Sequence, residues 1–168
     1  GIQRLGELFQ DGEVFLPQVL ISRRAMDRGV DEIKPFLSAA DVHKKGRIII
    51  GTVEGDLHDI GKNIVRLMLE CGGFEVIDLG VDVPVTAFVE AVKAYSPSIL
   101  AMSALLTITM TNMPEVLAAL ERAGLRDRVR VMIGGAPITR EYADQIGAEG
   151  FAPDCASAVI EAERLVRA

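Results

Sequence analysis

The chain has 168 residues, 49% hydrophobic and 25% charged, a balance that excludes intrinsic disorder and predicts one domain plus a small module. A net charge of −6 without any basic cluster excludes a nucleic-acid binder, and no apolar run approaches the ~20 residues of a membrane span. With two cysteines, two histidines, no CxxC and no signal peptide, a disulfide scaffold and a Cys- or His-rich zinc site are excluded, and a cytoplasmic protein is expected.

Before Lys44 only helical patterns occur. Ile2, Leu5, Leu8 and Phe9 repeat at helical spacing until Asp11-Gly12-Glu13 breaks them. A second helix is predicted from about Leu16 to Ser38, with Pro17 in its first turn and Leu20, Ala25, Met26, Val30, Ile33 and Leu37 on its apolar side. Two helices make no independent core, so they are expected either to dock on the rest of the chain or to end a larger helical module. From Arg47 the pattern changes. Strands are predicted at Arg47–Val53, Phe74–Leu79, Ser98–Ser103, Val129–Ile133 and Gly150–Ala152. Helices are predicted near Gly61–Cys71, Val85–Tyr95, Thr111–Ala123, Thr139–Ile146 and Cys155–Arg167. Apolar strands alternating with helices imply a parallel sheet covered on both faces. Five strands with right-handed crossovers suit an α/β, doubly wound, flavodoxin-like (Rossmann-like) fold of order 2-1-3-4-5, whose ligand site lies beyond the carboxyl ends of strands one and three.

Several chemically able residues fall at that edge. Strand one runs into Asp56, His58 and Gly61; strand three ends in Ser103, Leu105, Thr107 and Thr109; strand four ends in Gly134-Gly135-Ala136. One imidazole is too few for a protein-built zinc or magnesium site. It suffices as the axial ligand of a metal already held by a macrocycle. Asp56 can accept from the other ring nitrogen and fix the tautomer, and Thr109 or Ser103 can hold Asp56 in turn. The paired glycines leave room for a ligand to approach the backbone. The fold also serves phosphoacceptor receivers and dinucleotide sites. The first needs an Asp where strand three ends in Ser103, and the second needs a G-x-G-x-x-G that is missing after strand one.

Asp56-Leu57-His58-Asp59-Ile60-Gly61 resembles the D-x-H-x-x-G signature of cobalamin (B12)-binding domains. Ser103-Ala104-Leu105 follows after 41 intervening residues as that family's S-x-L, and Gly134-Gly135 after a further 28 as its GG. The stretch from Gly55 to Val65 looks like the methionine synthase and corrinoid-methyltransferase branch, and Gly12–Val19 is similar to the end of the four-helix cap preceding such domains. The resemblance thus implies a partial helical cap over residues 1–43 and a cobalamin-binding α/β domain over 44–168.

It further implies a cobamide, a cobalt corrinoid, bound base-off with His58 as lower axial ligand to cobalt, Asp56 bonded to His58, and Thr109 completing the relay where Ser is usual. Ser103 would meet the displaced nucleotide tail, and Gly134, Gly135 and Ala136 would line its slot. Leu105 and Thr107 would form the mouth, and Leu57, Asp59, Ile60 and Gly61 would pass beside the cofactor. Phe15, Leu16 and Met26 would cover the upper corrin face, with the Lys44–Gly46 linker as hinge. The implied function is a methyl carrier of one-carbon metabolism, a subunit working between a substrate:corrinoid methyltransferase and an acceptor methyltransferase that uses a thiol or reduced pterin, with a reductive activase. The alternatives are a cobalamin-binding fragment of a methionine synthase, a B12-sensing regulator domain, and the small subunit of a mutase, which would lack the cap. Methyl donor and acceptor, lower base and oligomeric state are not encoded in the residues named.

Overall fold

The computed structural model describes residues 44–167 and, before them, residues 8, 12–15, 17–19, 21–22, 24–25 and 28. The chain divides into two compact units, Gly1–Lys44 and Lys45–Ala168. In the first, Leu8, Pro17–Val19, Ile21, Ser22, Arg24, Ala25 and Arg28 are helical, with Val19 buried. The other positions of the two expected helices, Leu16 and Met26 included, lie outside the described residues.

The second unit is a five-stranded, all-parallel sheet in the order β2-β1-β3-β4-β5, the flavodoxin-like arrangement expected from the alternating pattern. The strands are β1 Arg47–Thr52, β2 Glu75–Asp78, β3 Ile99–Ser103, β4 Arg130–Gly134 and β5 Gly150–Ala152. Between and after them run α1 Ile60–Cys71, α2 Val85–Tyr95, α3 Asn112–Arg122, α4 Arg140–Ile146 and α5 Cys155–Arg167. A 3-10 turn at Arg126–Arg128, absent from the sequence reading, forms where Leu125 enters the core and Arg126 bonds the carbonyls of Val129 and Gly147. No helix among the described residues is long and apolar enough to cross a membrane.

The two faces of the sheet follow the period of two along each strand. Ile49, Leu100, Met102, Val131 and Ile133 pack with Phe88, Val92, Leu117 and Leu120 of α2 and α3. Ile48, Ile50, Ile99, Ala101 and Met132 pack with Leu69 of α1 and Ala158, Ala162 and Leu165 of α5. The second face includes the small side chains of Ala101 in β3 and Ala152 in β5, covered by Ala158 of α5, whereas the first carries Met102 and Ile133.

Glu161 ties three elements together. Its Oε1 accepts from the Phe151 amide of β5 (3.2 Å) and Arg140 of α4 (3.0 Å), while Oε2 accepts from Arg164 Nε (2.8 Å). The Arg164 hydrogen bond first, then Arg140 and the Phe151 amide, outweigh burial and draw the Glu161 carboxyl from 4.5 to about 2. A carboxyl lowered by folding adds stability that is full above its unfolded value and is lost as pH falls through its folded value. Glu161→Gln is therefore expected to lower unfolding free energy by on the order of 2 kcal/mol at neutral pH, after allowance for solvent screening. Thermal unfolding across a pH series should show the gap to wild type closing from about pH 5 toward pH 2; a constant gap would mean that packing, not charge, sets the cost.

Candidate functional site

The loop after β1 owes its shape to the spacing of Asp56 and His58. Asp56 Oδ1 accepts from the His58 backbone N–H at 3.0 Å, which closes an Asx turn two residues long. The same oxygen stands 2.7 Å from His58 Nδ1. One carboxylate oxygen thus fixes both the backbone and the ring of His58, and a spacing of two residues is what the turn requires. The other oxygen, Oδ2, accepts from the Leu105 amide and the Thr109 hydroxyl, each at 2.7 Å.

Of the two candidate hydroxyls, Ser103 and Thr109, the one that bonds Asp56 is that of Thr109. Its single hydroxyl hydrogen has a second acceptor within reach, the Leu106 carbonyl at 3.0 Å, but the charged and closer Asp56 is the stronger one. The methyl group that distinguishes Thr from Ser sits beside Gly55.

Asp56 is fully buried. Burial alone would raise its carboxyl; the Leu105 amide, the Thr109 hydroxyl and the His58 amide and ring together overcome this and hold it well below the usual carboxylate range. An ionised carboxylate only accepts, so Nδ1 carries a proton, and in the neutral imidazole the lone pair is on Nε2. The His58 side chain is 51% exposed, so that lone pair is open to a ligand.

His58 stands on the wall of a cavity of 720 Å³, within the range of cofactor pockets. Leu57, Asp59, Ile60, Gly61, Ser103, Leu105, Gly134, Gly135 and Ala136 line it as well. Asp56 and Thr109 stand behind His58, off the wall. Thr107 is exposed and does not line the cavity, and Phe15 is exposed in the first unit. Leu16 and Met26 lie outside the described residues.

The sequence reading missed the floor and far wall: Ile50, Ala101 and Met132 of the sheet, Ile64 and Val65 of α1, and Ala152, Cys155 and Ala158 toward α5. The available signal was the run of small residues on one face of the strands, which by itself reads as ordinary packing. Lys62 lies on an early turn of a helix, where a lysine is ordinarily solvated, but is buried on the cavity wall. Its Nζ lies 2.7 Å from both carboxylate oxygens of Asp78 and 3.0 Å from Asn63 Oδ1. Such a charge is tolerated in the interior because its partner is bidentate and close. The two cysteines, Cys71 and Cys155, are each partly exposed.

The residues present fit a corrinoid. Among the described residues no group of three or more His, Cys, Asp or Glu side chains could hold a metal ion, so a metal here would rest on one imidazole and a macrocycle of its own. Leu57 and Ile60 stand more than two thirds exposed beside His58, an apolar rim suited to a flat ring. Gly61 lines the cavity, and a Cβ there would meet nothing within 4 Å, so the missing side chain leaves open space. Gly61→Leu should improve helix propensity by up to about 1 kcal/mol while occupying that space. Its melting temperature is expected to hold or rise while hydroxocobalamin, followed by equilibrium titration, binds at least about tenfold less tightly; unchanged affinity would place the ligand elsewhere.

Comparison with known proteins gives a family match. A B12 binding domain model matches residues 46–162, and a second model of the same description matches residues 1–34. Trimethylamine corrinoid protein 1 of Methanosarcina acetivorans is 48% identical over 89% of this chain and 70% of its own length. Dimethylamine corrinoid protein 2 of Methanosarcina mazei is 46% identical over 99% of this chain and 78% of its own. Among solved structures, the methanol:cobalamin methyltransferase complex of Methanosarcina barkeri aligns with a TM-score of 0.89 at 32% identity, over 99% of this chain and 63% of that one.

Proposed function

This chain belongs to the B12 binding domain family as a corrinoid protein of methyltransferase systems, and from that premise we propose that it carries a methyl group derived from a methylamine on a cobamide held base-off by His58. The observation that carries the His-on reading is the pairing of buried, ionised Asp56 with His58 Nδ1, which leaves the Nε2 lone pair on the cavity wall. The methylamine follows from the tri- and dimethylamine relatives at 46–48% identity over most of this chain.

The cobamide, when bound, supplies the cobalt centre that accepts and releases the methyl group. The residues of the chain bind and orient it. Asp56 keeps the proton on Nδ1, and Leu105 N–H and Thr109 keep Asp56 charged. A proton on Nε2 would occupy the lone pair and free the imidazole from the metal. Ser103, Gly134, Gly135 and Ala136 are proposed to receive the nucleotide tail in the cavity, above the small side chains of Ala101, Ala152 and Ala158. Leu57, Ile60 and Leu105 present apolar surface to the ring and exclude water from it. Phe15, Leu16 and Met26 are proposed to cover the upper face of the ring, and Thr107 to stand at the mouth of the tail's slot. The partners are a substrate:corrinoid methyltransferase, an acceptor methyltransferase and a reductive activase, in the cytoplasm.

The test is transfer itself. Protein loaded with hydroxocobalamin, reduced and mixed with a trimethylamine:corrinoid or dimethylamine:corrinoid methyltransferase and its amine, is expected to gain a methyl group, read by its visible spectrum. Methylation by a methanol partner instead would overturn the amine assignment. Failure with every partner, under conditions that methylate an authentic amine corrinoid protein, would overturn the carrier role.

A further inference from the structure

The loop carrying Asp56 and His58 is braced by a residue that neither its motif nor its cavity includes. Asp82, in the connection from β2 to α2, accepts from the Gly55 amide through Oδ1 at 2.7 Å. Its own amide donates to the Asp56 carbonyl at 3.0 Å. The Asp56 carbonyl contact holds the peptide group after the Asp56 Cα; the one before it is held by the Asp56 amide, which donates to the Val53 carbonyl at 3.1 Å, and the Gly55 amide contact holds the peptide group before that. With the three fixed together, the direction of the Asp56 carboxylate is fixed too. Other braces act on one point each: Asn112 Nδ2 donates to the Glu54 carbonyl at 2.7 Å, and Thr52 Oγ1 to the His58 carbonyl at 2.9 Å.

The backbone of Asp82 points the same way. Its φ is +51°, in the left-handed region that L-residues seldom adopt and that glycine occupies freely. Gly80, two residues earlier, fills such a position with no side chain to strain. A turn alone would be served by glycine at 82 as well; a carboxylate held there is explained by the bond it makes. The register supports the contact: Val83 bridges Val53 in parallel, and its amide donates to the Thr52 carbonyl at 3.0 Å, which lays the connection along the end of β1.

We propose that Asp82 is a positioning residue for the axial histidine, acting through Asp56: it holds the Asp56 backbone so that the carboxylate meets His58 Nδ1 and Nε2 is presented to cobalt. This rests on the His-on reading above. Asp82→Gly removes the acceptor but suits the left-handed backbone, and Asp82→Asn keeps an acceptor in a residue that tolerates it.

Two readouts separate the proposal from the reading it rests on. In cofactor-free protein at about pH 8.5, nitrogen-15 shifts of the His58 ring report the tautomer. Wild type and Asp82→Asn are expected to show the Nδ1–H form, and Asp82→Gly a mixture. In protein labelled with nitrogen-15 histidine and loaded with cob(II)alamin, splitting of the paramagnetic resonance reports a bound histidine nitrogen. Asp82→Gly is expected to lose most of that signal and to bind about tenfold less tightly, with Asp82→Asn within about twofold of wild type. A wild-type Nδ1–H tautomer without histidine splitting would sink the His-on reading while leaving the orienting role standing. Asp82→Gly matching wild type in the cofactor-free tautomer would overturn the role of Asp82. Unfolding of Asp82→Gly would overturn it equally, since Asp82 would then hold the domain rather than the ring.

Discussion

His58→Gly is expected to bind hydroxocobalamin about 10–100-fold less tightly than wild type and to lose the axial-ligand features of the bound spectrum. The argument runs from the carboxylate outward. Asp56 is fully buried and charged, and it draws donors from Leu105, Thr109, the residue 58 amide and the His58 ring. Removing the ring leaves three of these in place, because the Asx turn uses the backbone amide of residue 58. The fold therefore survives, and the loss falls on the ligand. Circular dichroism should show an intact domain, with a melting temperature within a few degrees of wild type, beside the weakened titration. Equal affinity and an unchanged spectrum would show that the metal is held by something other than His58.

The second large effect is on stability. Gly135→Ala is expected to destabilise the domain by about 3–5 kcal/mol, which for a unit of this size lowers the melting temperature by roughly 10–20 °C. A Cβ on Gly135 would stand 1.8 Å from the carbonyl oxygen of Ala104, an overlap that no rotamer can relieve because the backbone fixes the Cβ and the oxygen belongs to the main chain. Its φ of +128° is a conformation that L-residues rarely adopt, so alanine is strained there even if the neighbour yields. The close approach has a purpose in the cavity: Gly135 lines it where the strand β3 and β4 ends meet, with Ala104 N–H bonded to the Gly134 carbonyl at 3.2 Å. Thermal unfolding of the cofactor-free protein measures this, and a shift of only a degree or two would mean that the two loops separate at little cost.

Much of this was legible in the sequence because the signals were local. Ile48-Ile49-Ile50 reads as a strand buried on both faces, and both clusters draw on it. The Asp56–His58 spacing reads as a tautomer-fixing pair because an Asx turn needs only the two residues and their backbone. What failed to show was set by distance along the chain. Lys62 reads as a solvated helix residue until Asp78, at the end of β2, is brought beside it. The choice between Thr109 and Ser103 needed the turn after β3, which folds Leu105 N–H and the Thr109 hydroxyl onto one oxygen. Asp82 carries no motif, and its two bonds exist only because Val83 runs alongside Val53. The cavity floor was hidden for another reason: alanines at 101, 152 and 158 fit a packed interior as readily as an open one, and only the arrangement of α1 and α5 decides.

The disparity between the two faces of the sheet has a bearing on the life of the protein in a cell. One face is completed by side chains of the chain itself; the other stops short at the cavity, which the proposed cofactor would finish. Occupancy raises the free energy of unfolding by about 2.7 kcal/mol when free ligand stands at a hundred times its dissociation constant. Proteases that capture opened molecules therefore meet the empty form far more often than the filled one. If the proposed cofactor occupies that face, its scarcity is expected to shorten the protein's lifetime as well as idle it.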